Sequence, residues 1–98
     1  MQHIFNMRIY YEDTDLSGMV YYANYLKFIE RARSEWIRDL GVNQKELRAT
    51  EGIVFAVRTL EADYIKAAQF DDLLKIITTV EYKTAARLVL KQTVYCDH

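Results

Sequence analysis

Proline is missing from this chain altogether, and glycine and cysteine are scarce, at three residues and one. Gly18, Gly41 and Gly52 are too scattered to cradle a phosphate or to form a dinucleotide fingerprint. Cys96 alone excludes an internal disulfide, and a lone thiol fits a reducing compartment. The two histidines, His3 and His98, stand at the chain ends, where neither is placed to build a rigid site. A Ser-His-Asp or Cys-His system is therefore not expected, and a structural zinc has no ligand set.

An excess of either charge is also lacking, with 13 basic residues against 14 acidic ones. The formal net charge of -1 exerts no long-range pull on nucleic acid or on an anionic membrane. No apolar run approaches the ~18 residues that a membrane span needs. The opening MQHIFNMR lacks the apolar core of a signal peptide, so a cytoplasmic protein is expected. If the chain is an enzyme, carboxylates, backbone amides and tyrosines must carry the chemistry.

What is present fits one domain across residues 1–98, with 51% hydrophobic and 28% charged residues. A lone domain of this size buries a modest core, so pairing with another subunit would help it. Partial alternation from His3 to Tyr11 predicts a strand, and Glu12 to Gly18 carries the Asp, Thr, Ser and Gly of a turn. From Tyr21 to Leu40 the period changes. Tyr25, Ile29, Ala32, Trp36 and Leu40 recur at three- and four-residue steps, which predicts an amphipathic helix with Gly41 as its stop. Residues 44–50 add a short helical turn. Ile53–Ile65, Leu73–Tyr82 and Leu88–Tyr95 are rich in β-branched and aromatic residues and predict two or three long strands. The link from the second of these to the third is too short for a helical crossover, so they form an antiparallel hairpin. The fold class is α+β, with one long helix packed on an antiparallel sheet. The sequence stops directly after a strand pattern, which leaves an edge to be covered by further chain or by an oligomer.

The run Tyr10–Tyr25, YYEDTDLSGMVYYANY, concentrates the candidate chemistry. Asp13, Asp15, Ser17, Gly18 and Val20 match early positions of a calcium loop, but Asn24 stands where that loop needs a bidentate glutamate. Two other readings stay open on the residues alone. The acids are solvated turn residues at the positive end of a helix. Alternatively, Asp15 is a base or nucleophile acting on a carbonyl held against the unpaired N–H groups of the helix start, near Tyr21 and Tyr22. Trp36, Tyr10, Tyr25, Tyr64 and Tyr82 read as core or interface aromatics, Cys96 as a buried apolar residue, and Glu12, Asp13, Asp71 and Asp72 as loop acids. Asn24 either caps locally or donates to the acid loop or to a substrate.

The run RIYYEDTDLSGMVYYANYLKFIERARSEWI closely resembles the start of hotdog-fold acyl-CoA thioesterases of the 4-hydroxybenzoyl-CoA thioesterase superfamily. It is most similar to the branch associated with the Tol-Pal envelope system, and ADYIKAAQFDDLLKIITTV resembles that family's middle strands. The resemblance implies a hotdog fold, a long helix wrapped by an antiparallel sheet, here ending before the last strand. It implies Asp15 as the catalytic carboxylate and the Tyr22 backbone N–H as the group that polarises the thioester carbonyl. It implies Lys83 and Arg87 as the basic groups that hold the nucleotide part of coenzyme A. No cofactor beyond the substrate's own coenzyme A is implied, and no metal. The substrate would be an acyl-CoA or an acyl-carrier-protein thioester, hydrolysed in a homodimer or homotetramer with sites at the subunit interface. The alternative is a non-catalytic hotdog module that binds acyl groups or a partner protein. Tyr22 stands where many members of the Tol-Pal branch have histidine, and Ala67 or Ala68 where the family has proline.

Overall fold

A computed structural model describes residues 2–97. Its elements are strand β1 (Gln2–Arg8), helix α1 (Asn24–Asp39), helix α2 (Gln44–Glu51), and strands β2 (Leu73–Lys83) and β3 (Leu88–Asp97). The strands form one antiparallel sheet in the order β1-β2-β3, so the first strand pairs with the first strand of the hairpin. This is the α+β arrangement that the pattern predicts.

The sheet's inner face is built in rows. The register places Met7 beside Leu74 and Leu74 beside Cys96, then Phe5, Ile76 and Val94 in the next row. Leu74 and Ile76 are fully buried, and Phe5, Met7, Val94 and Cys96 pack around them. Directly opposed side chains share one face of an antiparallel pair, so these rows present a continuous apolar surface. Phe28 and Ala32 of α1 close it, at 0% exposure each. The third row is polar: His3, Thr78 and Gln92. Gln92 Nε2 donates to Ile29 O of α1 and to Thr78 Oγ1, while Arg33 Nη1 donates to Gln92 Oε1. Beside it the His3 ring stacks on Trp36, and His3 Nε2 lies 2.9 Å from Asp39 Oδ2. The helix is thus seated by apolar contact at one end and by directional bonds at the other.

Helix α1 begins at Asn24, later than the predicted Tyr21, because residues 21–23 form a turn instead. It stops as its sequence predicts. Gly41 takes φ +84°, its N–H donates to Arg38 O, and Val42 N donates to Ile37 O, which satisfies the last carbonyls. The buried stripe is Phe28, Ala32 and Trp36, whereas Leu40, counted on the apolar stripe from its spacing, is exposed. Asn43 caps α2 by accepting from Glu46 N at 3.0 Å.

One predicted strand is not formed. Residues 53–65 run without regular structure, their backbone joins no ladder, and Ile53, Val54, Phe55, Val57 and Leu60 are exposed. β-Propensity describes how a side chain fits a pleated surface made by neighbours. Among the described residues no strand lies beside this segment, so the propensity finds nothing to act through. Tyr10, Tyr64 and Tyr82 are likewise 50% exposed or more, which removes the core reading for them.

Candidate functional site: the acid loop at the start of the long helix

After β1 the chain makes a single 3-10 turn, Tyr11–Asp13, and then a short two-way loop back to α1. Asp13 organises that turn. It is 7% exposed, its Oδ2 accepts from Tyr10 N at 2.9 Å, and its carbonyl accepts from Tyr21 N at 3.0 Å and Asn24 Nδ2 at 2.9 Å. Asp13 is therefore no solvated loop acid. A carboxylate that accepts a backbone N–H replaces the water it loses on burial, so its burial costs little. Of the roles open to Asn24, the structure shows the bond to the acid loop.

Beyond Asp13 the loop closes as a miniature hairpin. Thr14 bridges to Val20, Asp15 N donates to Met19 O at 3.0 Å, and Gly18 N donates to Asp15 O at 3.0 Å. Gly18 holds φ +82°, which a residue with a Cβ rarely adopts. The hairpin is tied to the chain before β2: Val20 N donates to Ala68 O at 2.8 Å, and Met19 bridges to Gln69. Ala68 N in turn donates to the Tyr25 hydroxyl at 2.9 Å. Burial raises the Tyr25 pKa, so that hydroxyl is neutral at physiological pH.

Asp15 sits at the outer tip of this structure, exposed. Its Oδ1 accepts from Ser17 N at 2.8 Å and from the Ser17 hydroxyl. The Ser17 hydroxyl and then the Ser17 amide hold its pKa below the ordinary carboxylate value, so Asp15 is ionised at neutral pH. At the helix start, Tyr21 N is taken by Asp13 O, Asn24 N by Tyr21 O and Tyr25 N by Tyr22 O. Among the described residues the N–H groups of Tyr22 and Ala23 find no acceptor. They belong to the turn and the cap just ahead of α1, at the positive end of its dipole.

Beside them opens a cavity of about 170 Å³, walled by Val20, Tyr22, Tyr25, Tyr64 and the chain at Lys66. Tyr64 packs edge-on against Tyr22, with ring centroids 5.6 Å apart, and lies 5.9 Å from Tyr25. An ionised carboxylate, unpaired amides and an apolar cavity are the parts needed to hold a carbonyl compound and attack it.

The other sequence-derived candidates lie elsewhere. Lys83 ends β2 and Arg87 belongs to the hairpin turn, where Thr84 N donates to Arg87 O. The acid loop joins the chain just before the opposite end of β2. An eleven-residue strand separates the two, or ~35 Å of extended chain. Cys96 is half-buried and donates to Asp72 Oδ2 at 3.3 Å. The Ser17 bonds to Asp15 and the burial of Asp13 escape the sequence reading. The Asp-x-Ser spacing was the available signal, because a serine two residues after an aspartate is placed to bond its side chain.

These features define a class: an α+β hotdog chain with a carboxylate loop at the N-terminal end of its long helix. A family profile described as the Thioesterase superfamily matches residues 17–98, and the chain belongs to that family. Over 88 residues it is 46% identical to the acyl-CoA thioesterase YbgC of Haemophilus influenzae, covering 90% of this chain and 65% of that protein. The chain thus spans just under two thirds of that curated relative. The crystal structure of a probable thioesterase from Bartonella henselae is 42% identical, with a TM-score of 0.91. That match covers 97% of this chain and 79% of the other. The 4-hydroxybenzoyl CoA thioesterase of Pseudomonas sp. strain CBS-3 shares the fold: TM-score 0.89 at 24% identity, over 95% of this chain and 68% of that one.

Proposed function

We propose that this chain carries the catalytic machinery of an acyl-CoA thioesterase, converting an acyl-CoA and water to a carboxylic acid and the free coenzyme A thiol. The observation that carries this reading is that one short loop leading into α1 holds both an ionised, exposed Asp15 and, at Tyr22 and Ala23, N–H groups without an acceptor among the described residues. The thioester oxygen accepts from the Tyr22 amide as negative charge develops on it. Asp15 then acts on the carbonyl carbon in one of two ways. It attacks directly, forming an anhydride as the C–S bond breaks, or it takes a proton from the water that attacks. Single-turnover hydrolysis in labelled water separates the routes, since an anhydride can place solvent oxygen in the carboxylate of Asp15. No cofactor is required, because coenzyme A arrives as part of the substrate.

Lys83 and Arg87 suit the phosphates of coenzyme A, as exposed cations at a hairpin tip. Their distance from Asp15 in one chain fits a homodimer or homotetramer in which one subunit's tip serves its partner's acid loop. The named relative acts as an acyl-CoA thioesterase, which supports coenzyme A over acyl-carrier protein as the first carrier to test. No helix of the described residues is long and apolar enough to cross a membrane, and we place the reaction in the cytoplasm. The unpaired segment 53–65 favours one other reading, a non-catalytic module that binds acyl groups or a partner protein.

Thiol release from a panel of acyl-CoAs, compared with Asp15→Asn, tests the proposal. Turnover lost in a folded Asp15→Asn supports it. Equal turnover in both removes Asp15 from the mechanism, and bound coenzyme A without thiol release favours the module.

A further inference from the structure

The two oxygens of Asp15 are not equivalent. Oδ1 accepts both bonds from Ser17, while Oδ2 accepts none among the described residues. The Ser17 hydroxyl is itself oriented, because Met19 N donates to Ser17 Oγ at 3.3 Å. A one-way relay results, from the Met19 amide to the Ser17 oxygen and from the Ser17 hydroxyl to Asp15 Oδ1.

This relay is not needed to close the turn. The backbone bonds from Asp15 N to Met19 O, Gly18 N to Asp15 O and Val20 N to Ala68 O already do that. What the hydroxyl adds is a second donor on the oxygen that the Ser17 amide already holds, which narrows the rotation of the carboxylate, a torsion that is otherwise broad. No charged side chain competes for the role: Asp15 forms no ion pair among the described residues, and only Ser17 and Asp15's own amide favour its ionised form.

We propose that Ser17 is a positioning residue, whose hydroxyl clamps Oδ1 of Asp15 and thereby assigns Oδ2 as the reacting oxygen. This rests on the thioesterase reading above and extends it to which carboxylate oxygen acts and what aims it. It holds for attack by Asp15 and for attack by water, because either route needs one carboxylate oxygen aimed at the carbonyl or at the water before it.

The test uses the full chain with carboxyl-labelled aspartate, following the Asp15 signal (assigned by its loss in Asp15→Asn) against pH. The same pH series is run for hydrolysis of the best acyl-CoA of the panel. In Ser17→Ala the Asp15 titration is expected to rise toward the ordinary carboxylate range, and the acid limb of kcat/KM to move up with it. With only the amide of residue 17 left on Oδ1 the carboxylate is less tightly aimed, so kcat is expected to fall, by roughly tenfold at most, with KM little changed. Ser17→Thr, which keeps the hydroxyl, is expected to restore titration and rate together. A merely structural serine would move neither the titration nor the acid limb. An unchanged Asp15 titration in Ser17→Ala overturns the clamp whatever the rates, and a shifted titration with undiminished kcat overturns the positioning role. A wild-type chain that is folded, shows the shift and releases no thiol keeps the clamp and rejects the thioesterase reading.

Discussion

Two stretches that connect the main elements of this molecule are held in opposite ways. The acid loop, residues 10–22, is crossed by backbone bonds from Asp13, Thr14, Asp15, Gly18, Val20 and Tyr21, and its one buried acid has its donors in place. Residues 53–65 are far more hydrophobic, yet their backbone makes no bond within the described residues beyond those of the elements around them. Apolar content therefore does not decide which irregular segment is fixed. The loop is fixed because the bonds that cross it find their partners a few residues away or on the strap at Ala68. The extended segment needs a neighbouring strand for the same service, and its side chains do not provide one.

The largest effect separating the two is chemical. Asp15→Asn is expected to lower kcat by roughly a thousandfold or more while leaving the melting temperature within a few degrees, since Asp15 is exposed. Calorimetry beside the thiol-release assay checks both halves. Next comes local opening. Native-state hydrogen exchange should protect the Val20 and Tyr21 amides by at least about a hundredfold over those of 54–60; equal rates would dissolve the contrast. Removing the buried acceptor with Asp13→Ala strands Tyr10 N and is expected to cost about 1–3 kcal/mol in urea unfolding. Leu60→Lys is expected to stay within about 0.5 kcal/mol of wild type in the monomeric chain, because that side chain is half exposed and packs against no strand. A larger loss would show that residues 53–65 are held after all. The smallest effect is on pH. The depressed Asp15 pKa keeps its carboxylate ionised as pH falls through the ordinary range, so the acid limb of activity should lie below an unperturbed aspartate's. An acid limb above that value would contradict the Ser17 bonds.

The same contrast explains what could be read in advance. Helix α1 and the turn at residues 12–18 were legible because their signals are local: a 3.6-residue apolar period for one, Asp, Ser and Gly spacing for the other. The hairpin of β2 and β3 was legible because a short link leaves antiparallel pairing as the available geometry. The strand expected at residues 53–65 is missing because a strand is a property of two segments, and the propensity of one does not supply its partner. Asp13 was misjudged for a related reason. Its burial depends on donors at Tyr10, Tyr21 and Asn24 converging through a fold that no spacing encodes. Roles for Asp15 and the helix start stay open on the residues alone and are assigned by resemblance; Asp15 is a carboxylate held ionised by Ser17, and the Tyr22 amide has no acceptor among the described residues. Lys83 and Arg87 were named the same way, and the length of β2 holds them away from the acid loop of their own chain.

The polar row His3, Thr78 and Gln92 has a mechanical meaning. Apolar rows are slippery: a helix lying on Leu74 and Ile76 can slide or roll by a fraction of a turn at small cost. Gln92 gripping the carbonyl of Ile29 acts as an indexing pin, since a shift of one residue would present it with the wrong oxygen. From that pin to Tyr22 is about 10 Å of chain at helical rise. The tip of α1, with its unpaired amides, is thus gauged from a fixed point on β3, at the end of the sheet order.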